Sequence, residues 1–113
     1  GIVTAGLSER VHNSVPLKFL SKFDVVITGD KTIRGKPFSD PYLKGAEELG
    51  LKPEECIVVE NAPLGIQAAK SAGAYCIAIC STLDRSYLEE ADEIVEKFED
   101  LNTLDFIKQL GNK

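Results

Sequence analysis

Short apolar runs alternate along this chain with segments whose apolar residues recur at helical spacing. The runs at 2–5, 25–28, 56–59 and 75–80 are rich in Val and Ile, and a weaker run lies at 93–95. The four strong runs are apolar without a period of two, which is typical of strands in a parallel sheet covered on both faces. We therefore predict four buried parallel strands and one edge strand.

The first segment between two predicted strands carries helix signals and one breaker. Ser8 is a residue type that caps helices, and a helix starting there would carry Val11 and Val15 inward. Pro16 follows before Leu20, and proline inside a helix removes a hydrogen bond and clashes with the preceding turn. The sequence predicts a helix from Ser8 that is broken or kinked at Pro16.

Two further helices have clear ends, and a third is indicated near the C-terminus. Asp40 followed by Pro41 predicts a helix start, with Gly50 as its stop, and a second helix over 63–72 stops at Gly73. The third covers about 101–110. Their inward positions are Leu43, Ala46 and Leu49, then Ile66, Ala69 and Ala72, then Leu104, Ile107 and Leu110. Alternating strands and helices predict an α/β sandwich.

Polar residues recur where the predicted strands end. The strand ends carry Thr, Ala and Gly at 4–6, Thr, Gly and Asp at 28–30, Glu and Asn at 60–61, and Ser and Thr at 81–82. In open α/β sheets, ligands bind at the carboxyl edge of the strands. We therefore expect the functional residues among these strand ends.

Composition and charge restrict the class of protein. The 113 residues are 43% hydrophobic and 27% charged, which fits one small globular domain. A formal net charge of −5 argues against nucleic acid as a partner. The sequence also shows neither an apolar run long enough to span a membrane nor a signal peptide, so we expect no membrane partner and a cytoplasmic location.

Cysteine and histidine offer little chemistry here. Cys56, Cys76 and Cys80 are an odd number and lie in or beside apolar runs, so we interpret them as free, buried thiols. His12 is the single histidine and has polar neighbours, which favours a solvated helix position. No histidine-based metal site can be built.

The segment after the first strand could bind an anion. Thr4 offers a hydroxyl, and Ala5 and Gly6 are small enough for their N–H groups to approach a phosphate at the start of the Ser8 helix. A Thr-Ala-Gly triplet is also an ordinary strand-to-helix turn, and both interpretations stay open at this level.

Lys36 could bring a positive charge to the same edge. It precedes Pro37, which places it in a defined loop from which its ammonium could neutralise a phosphate or a carboxylate cluster. A solvated loop lysine is the alternative.

Two oxygen-bearing side chains, Glu60 and Asn61, follow a fully apolar strand and precede the helix at 63–72. Mg²⁺ prefers oxygen ligands and needs only a few from the protein. Equally, Asn61 could cap the helix while Glu60 complements its dipole.

Taken together, Thr4, Lys36 and Glu60-Asn61 on successive strand ends resemble three motifs of the haloacid dehalogenase superfamily, in its β-phosphoglucomutase and phosphoglycolate phosphatase branch. The segments at 35–43 and 58–73 carry most of the likeness, which covers roughly 2–79. The resemblance implies a Rossmann-like parallel sheet and a Mg²⁺-dependent phosphatase or phosphomutase that passes the phosphoryl group of a small metabolite through an aspartyl phosphate.

The same resemblance implies a role for each matching residue. Thr4 and the Ala5 amide would bind phosphate, Lys36 would offset the charge of phosphate and nucleophile, and Glu60 with Asn61 would bind Mg²⁺. The branch usually has Glu-Asp where this chain has Glu60-Asn61. Asn retains an oxygen ligand but loses a charge, so weaker metal binding is expected.

The family's first motif, Asp-x-Asp after a central strand, does not occur in the 113 residues. That motif supplies the nucleophile and the acid/base, so the chain alone is expected to be inactive. We expect residues 1–113 to be the C-terminal part of one core domain. The central strand and the cap would then come from the missing N-terminal segment or from a second chain.

Three alternatives differ in class. A phosphate-binding or regulatory half-domain would keep the fold and complement another chain. A response-regulator receiver would need its acidic pair first and its Thr and Lys later, the reverse of the order here. A dinucleotide-binding half is disfavoured because residues 6–9 lack the Gly-x-Gly-x-x-Gly turn.

Overall fold

A computed structural model describes residues 1–80 and 83–103. These residues contain five strands: β1 (Ile2–Val3), β2 (Val26–Ile27), β3 (Ile57–Glu60), β4 (Tyr75–Ile79) and β5 (Glu93–Val95). All their pairings are parallel, in one sheet of order β1-β2 and a second of order β3-β4-β5. The predicted α/β class with a parallel sheet is confirmed. Each strand bound lies within one residue of its predicted place, except that β1 ends two residues earlier than predicted.

Four α-helices connect the strands: α1 (Ser8–Ser14), α2 (Leu17–Leu20), α3 (Asp40–Leu49) and α4 (Pro63–Ala72). The predicted break falls between α1 and α2, where Pro16 takes the N-cap position of α2. Most of the helix predicted over 101–110, and the strand-end residues at 81–82, lie outside the described residues. Residues 98–103 form a 3₁₀ helix.

Two predicted helix caps are wrong. Ser8 is the first residue of α1 rather than its cap, and its N–H donates instead to Oδ1 of Asp30 at 2.9 Å. Asp40 likewise lies inside α3, with Ser39 at the N-cap, and pairs with Arg34 at 2.9 Å. The hydrogen bond from Arg34 holds the pKa of Asp40 below its usual value. In both places a partner outside the helix replaces the predicted cap.

The inward face of α3 includes Ala46, as predicted, and Leu49 is half-buried, but Leu43 does not belong to it. Leu43 was expected inward and is 42% exposed, whereas Gly45 and Ala46 are buried. A Cβ on Gly45 would lie 3.3 Å from the Val3 side chain and 3.9 Å from Ile27, so the helix packs closely on β1 and β2. This close approach needs a small residue, which a pattern of large apolar residues does not reveal.

Two glycines end helices as predicted. Gly73 ends α4 with φ of 95°, and Gly50 ends α3 with φ of 74°.

The core lies between α4 and the three-stranded sheet. Cys76 is buried, and burial raises the pKa of its thiol to about 11, so it packs as an uncharged apolar group. The core cluster consists of Val58, Ile66, Ala69, Ala74, Cys76, Ala78 and Leu88.

The three cysteines are free thiols, as predicted, although Cys56 and Cys80 are half-buried rather than buried. In the described part of the chain we find no helix with the length and hydropathy of a membrane span.

A cavity of about 470 Å³ separates the two sheets. It is lined by β1 on one side and by β3 on the other, and within the described residues no strand pairing joins these two edges. Val59, in the middle of β3, is 41% exposed. Helix α3 packs against β1, β2 and α4, so it holds the two sheets side by side across the cavity.

Candidate functional site

Glu60 is a buried carboxylate at the end of an apolar strand. It is the last residue of β3, and its side chain is 8% exposed at one end of the cavity. A buried charge is costly unless it is paired and hydrogen-bonded. The partners of Glu60 therefore define the site.

Two donors reach the same oxygen of this carboxylate. Lys36 Nζ lies 2.6 Å from Oε1 of Glu60, and the Tyr42 hydroxyl donates to that same atom. Burial first, and the Glu60 carboxylate second, raise the pKa of the Tyr42 phenol, which therefore stays protonated and acts as a donor. The result is a compact cluster of one cation, one anion and one neutral hydroxyl.

The loop after β2 and the first turn of α3 position these donors. Lys36 is 20% exposed and its ammonium lies 5.2 Å from the centre of the Tyr42 ring, within cation–π range. Lys36 is thus a paired residue, and the solvated-lysine alternative is not supported.

The other side of the Glu60 carboxylate rests on the first turn of α4. A Cβ on Gly65 would lie 2.1 Å from Cδ of Glu60 and 2.2 Å from each carboxylate oxygen. The Asn61 N–H donates to Oε2 at 3.3 Å. Gly65 therefore leaves the space that the carboxylate occupies, near the positive end of the helix dipole.

Asn61 does not cap α4. Ala62 occupies the N-cap position and makes no side-chain cap hydrogen bond, while Asn61 is exposed and lines the cavity. The helix-cap alternative for Asn61 is therefore not supported, and its side chain is open to a ligand. The position of Glu60 beside the start of α4 agrees with the dipole interpretation.

Thr4 and Ala5 lie at the carboxyl end of β1, in a loop held by two hydrogen bonds. The Gly6 N–H donates to Oγ1 of Thr4 at 3.1 Å, and the Gly29 N–H donates to the Gly6 carbonyl at 2.8 Å. A Cβ on Gly29 would lie 2.3 Å from the Ala5 carbonyl oxygen, so the two strand-end loops touch. With its oxygen accepting from Gly6, Thr4 still has its O–H to donate.

The structure thus gathers Lys36, Glu60 and Asn61 around the cavity and places Thr4 and Ala5 at the end of the neighbouring strand. His12 is exposed, with Nδ1 2.7 Å from the Ser8 carbonyl oxygen, as expected for a solvated position. Sequence reasoning missed Tyr42 and Gly65. A glycine inside the first turn of a helix was the one available signal for Gly65.

The donors at this edge are of the type that Mg²⁺ binds. The Glu60 carboxylate and the Asn61 amide are hard oxygen ligands, and Mg²⁺ commonly takes one or two protein oxygens plus phosphate and water. Within residues 1–80 and 83–103 there is no group of three or more His, Cys, Asp or Glu side chains that could hold a metal ion. Glu60 and Asn61 are therefore suitable ligand types for Mg²⁺, and the other ligands would have to come from outside the described residues.

Comparison with known proteins supports the likeness found in the sequence. A family model described as haloacid dehalogenase-like hydrolase matches residues 1–79. Hexitol phosphatase A of Escherichia coli is 37% identical over 100 residues, covering 88% of this chain and 46% of that protein. Validoxylamine A 7'-phosphate phosphatase of Streptomyces hygroscopicus is 38% identical over 97 residues, with 85% and 46% covered.

A solved structure shows the same fold. A Thermotoga maritima protein provisionally named β-phosphoglucomutase superposes with a TM-score of 0.78 at 31% identity, over 90% of this chain and 50% of that one. The chain spans about half the length of the curated relatives it matches.

Proposed function

This chain belongs to the haloacid dehalogenase-like hydrolase family, and from that premise we propose that it is the C-terminal part of the core domain of a Mg²⁺-dependent phosphatase or phosphomutase. Its substrate would be a small phosphorylated metabolite. The observation that carries the proposal is the meeting of Lys36 and Glu60 beside the cavity, at the carboxyl edge of the strands. Phosphoryl transfer needs this kind of preorganised charge.

Each residue of the site has a proposed part. The Lys36 ammonium offsets the negative charge of the phosphoryl group, while the Thr4 O–H and the Ala5 N–H donate to its oxygens. Glu60 and Asn61 would hold Mg²⁺ together with oxygens of phosphate and water. The ion, when bound, supplies further neutralisation of charge on the phosphoryl oxygens.

The nucleophile is proposed to come from a strand that fills the cavity between β1 and β3. Among the described residues, β1 pairs in parallel with β2 and β3 with β4, and no strand pairs with the edges of β1 and β3 that face the cavity. The cavity wall combines apolar strand residues with Lys36 and Glu60. A parallel strand there would end between Thr4 and Glu60. An Asp at that end would lie near Lys36, which could offset its charge before it takes the phosphoryl group as an aspartyl phosphate.

The test uses a fusion in which an added segment precedes Gly1. This segment contains a hydrophobic strand followed by Asp-x-Asp, and the fusion is here called the extended chain. Hydrolysis of p-nitrophenyl phosphate with Mg²⁺ is expected from the extended chain and not from the 113 residues alone. The matched control carries Asn-x-Asn. Equal activity of the two fusions, or none in either while both fold, would contradict the proposal.

A second candidate function is that of a phosphate-binding or regulatory half-domain. It would have the same site and complement another chain, but it would not turn over a substrate. Its support is the direct pairing of Lys36 with Glu60, which neutralises the buried carboxylate from within the chain. Phosphate binding by a folded extended chain that shows no hydrolysis would favour it. Under either function we propose a cytoplasmic protein, since its three free thiols suit a reducing compartment.

A further inference from the structure

In the buried cluster of Lys36, Tyr42 and Glu60, the proposed function assigns no role to Tyr42. It belongs to the first turn of α3, and its hydroxyl donates to Oε1 of Glu60, the oxygen that also receives Lys36. Oε1 of Glu60 therefore accepts from one neutral donor and one charged donor.

The two carboxylate oxygens of Glu60 accept hydrogen bonds from different donors. Oε1 accepts from Tyr42 and Lys36, while Oε2 accepts from the Asn61 N–H at the longer distance of 3.3 Å. Hydrogen bonds from a second layer of residues orient metal-binding carboxylates and commonly affect affinity by about tenfold or more. The role proposed for Lys36 at the phosphoryl group would draw its ammonium away from Glu60, and Tyr42 would then be the side-chain donor left on Oε1.

We propose that Tyr42 is a positioning residue that holds the Glu60 carboxylate ready for the divalent cation, independently of Lys36. The proposal rests on the metal-dependent function above. It predicts that the hydroxyl, rather than the aromatic ring, matters for the site. Tyr42→Phe isolates this effect, because it keeps the ring that lies beside the Lys36 ammonium.

The chain supplies a matched control in a second tyrosine–glutamate pair. The Tyr75 hydroxyl donates to Oε1 of Glu93 at 3.2 Å. Tyr75 begins β4 and Glu93 begins β5, so this pair lies at the amino edge of the sheet, opposite the cavity site. Tyr75→Phe therefore removes the same kind of hydrogen bond without touching Glu60.

The first measurement needs no metal. In the 113-residue chain labelled with ¹³C at tyrosine Cζ, the three tyrosines give three signals, assigned with Tyr→Phe variants. Glu60→Gln is expected to shift the Tyr42 signal and leave the Tyr75 signal in place, because only the first loses a carboxylate partner. An unchanged Tyr42 signal would overturn the proposal.

The second measurement is Mn²⁺ affinity of the extended chain, read from the electron paramagnetic resonance of the free ion. Tyr42→Phe is expected to weaken Mn²⁺ binding by about tenfold, and Tyr75→Phe by less than twofold. Equal affinity of wild type and Tyr42→Phe overturns the positioning role alone. Absence of Mn²⁺ binding to the folded wild type overturns the proposed metal-dependent function, and the positioning role with it.

Discussion

Two lysine–carboxylate pairs lie at opposite edges of the β3-β4-β5 sheet, and they differ in what surrounds them. At the carboxyl edge, Lys36 and Glu60 are 2.6 Å apart, with side chains 20% and 8% exposed. At the amino edge, Lys70 and Asp92 are 2.7 Å apart, with side chains 36% and 29% exposed. The distances match, so the difference lies in the surroundings.

The amino-edge pair is tied to the backbone. Lys70 Nζ also donates to the Ala74 carbonyl at 3.2 Å, and Asp92 Oδ2 also accepts from the Cys76 N–H at 2.8 Å. These bonds join the end of α4 to the starts of β4 and β5. The carboxyl-edge pair has a third side chain, Tyr42, as its neighbour and a cavity beside it. The carboxyl-edge pair therefore lies where a ligand could reach it, whereas the amino-edge pair links three segments of the backbone.

The largest expected effect comes from removing each lysine in turn. Lys36→Met leaves the Glu60 carboxylate buried without its cation, which should lower the free energy of unfolding by about 3 kcal/mol. Lys70→Met acts on the more exposed pair and should cost about 1 kcal/mol. Urea unfolding of the 113-residue chain measures both. Equal losses would show that burial does not separate the two pairs.

The next effect tests the space under Glu60. Gly65→Ala places a Cβ where the carboxylate lies, and overpacking of this kind costs about 1–3 kcal/mol. A displacement of about 1 Å at a reacting centre can lower turnover about 100-fold, so the extended chain should lose activity on this scale. Gly35→Ala is the control, because a Cβ there meets nothing within 4 Å. If Gly65→Ala keeps full activity, the close contact between Gly65 and the Glu60 carboxylate is unimportant for activity.

The smallest effect concerns pH at the amino edge. Partial burial raises the pKa of Asp92, but the Lys70 ammonium and the Cys76 N–H lower it more, so the net pKa lies below the usual value. The Asp92 carboxylate therefore stabilises the fold fully above its unfolded-state pKa of about 3.9, and this stabilisation is lost as the pH falls through the lower native-state pKa. Asp92→Asn should cost about 1 kcal/mol at neutral pH and nothing in strong acid. A difference in unfolding free energy that stays constant with pH would contradict this.

The sequence was sufficient for the elements and for the edge where the site lies. Apolar runs without alternation correctly indicated parallel strands, and the residues that follow them include Glu60 and Asn61. The stops at Gly50 and Gly73 were correct because a left-handed C-cap is a local requirement that glycine meets best.

The errors arose where a residue outside the local helix pattern decides the outcome. Ser8 and Asp40 have local capping chemistry, yet Asp30 and Arg34, respectively, hold them in other roles. Leu43 fits a helical stripe, but the close approach of α3 to β1 turns it outward. Tyr42 is an ordinary apolar position on a helix until the fold brings Glu60, eighteen residues later, to its hydroxyl.

The cavity between β1 and β3 has a consequence for cooperativity. A single strand seated there would hydrogen-bond on both sides and merge a two-stranded and a three-stranded sheet into one six-stranded unit. Until then the two halves share mainly helix α3 and can open with separate free energies. The same event would complete the hydrogen bonding of the sheet and deliver the reactive carboxylate, so that folding and chemical competence would be acquired together.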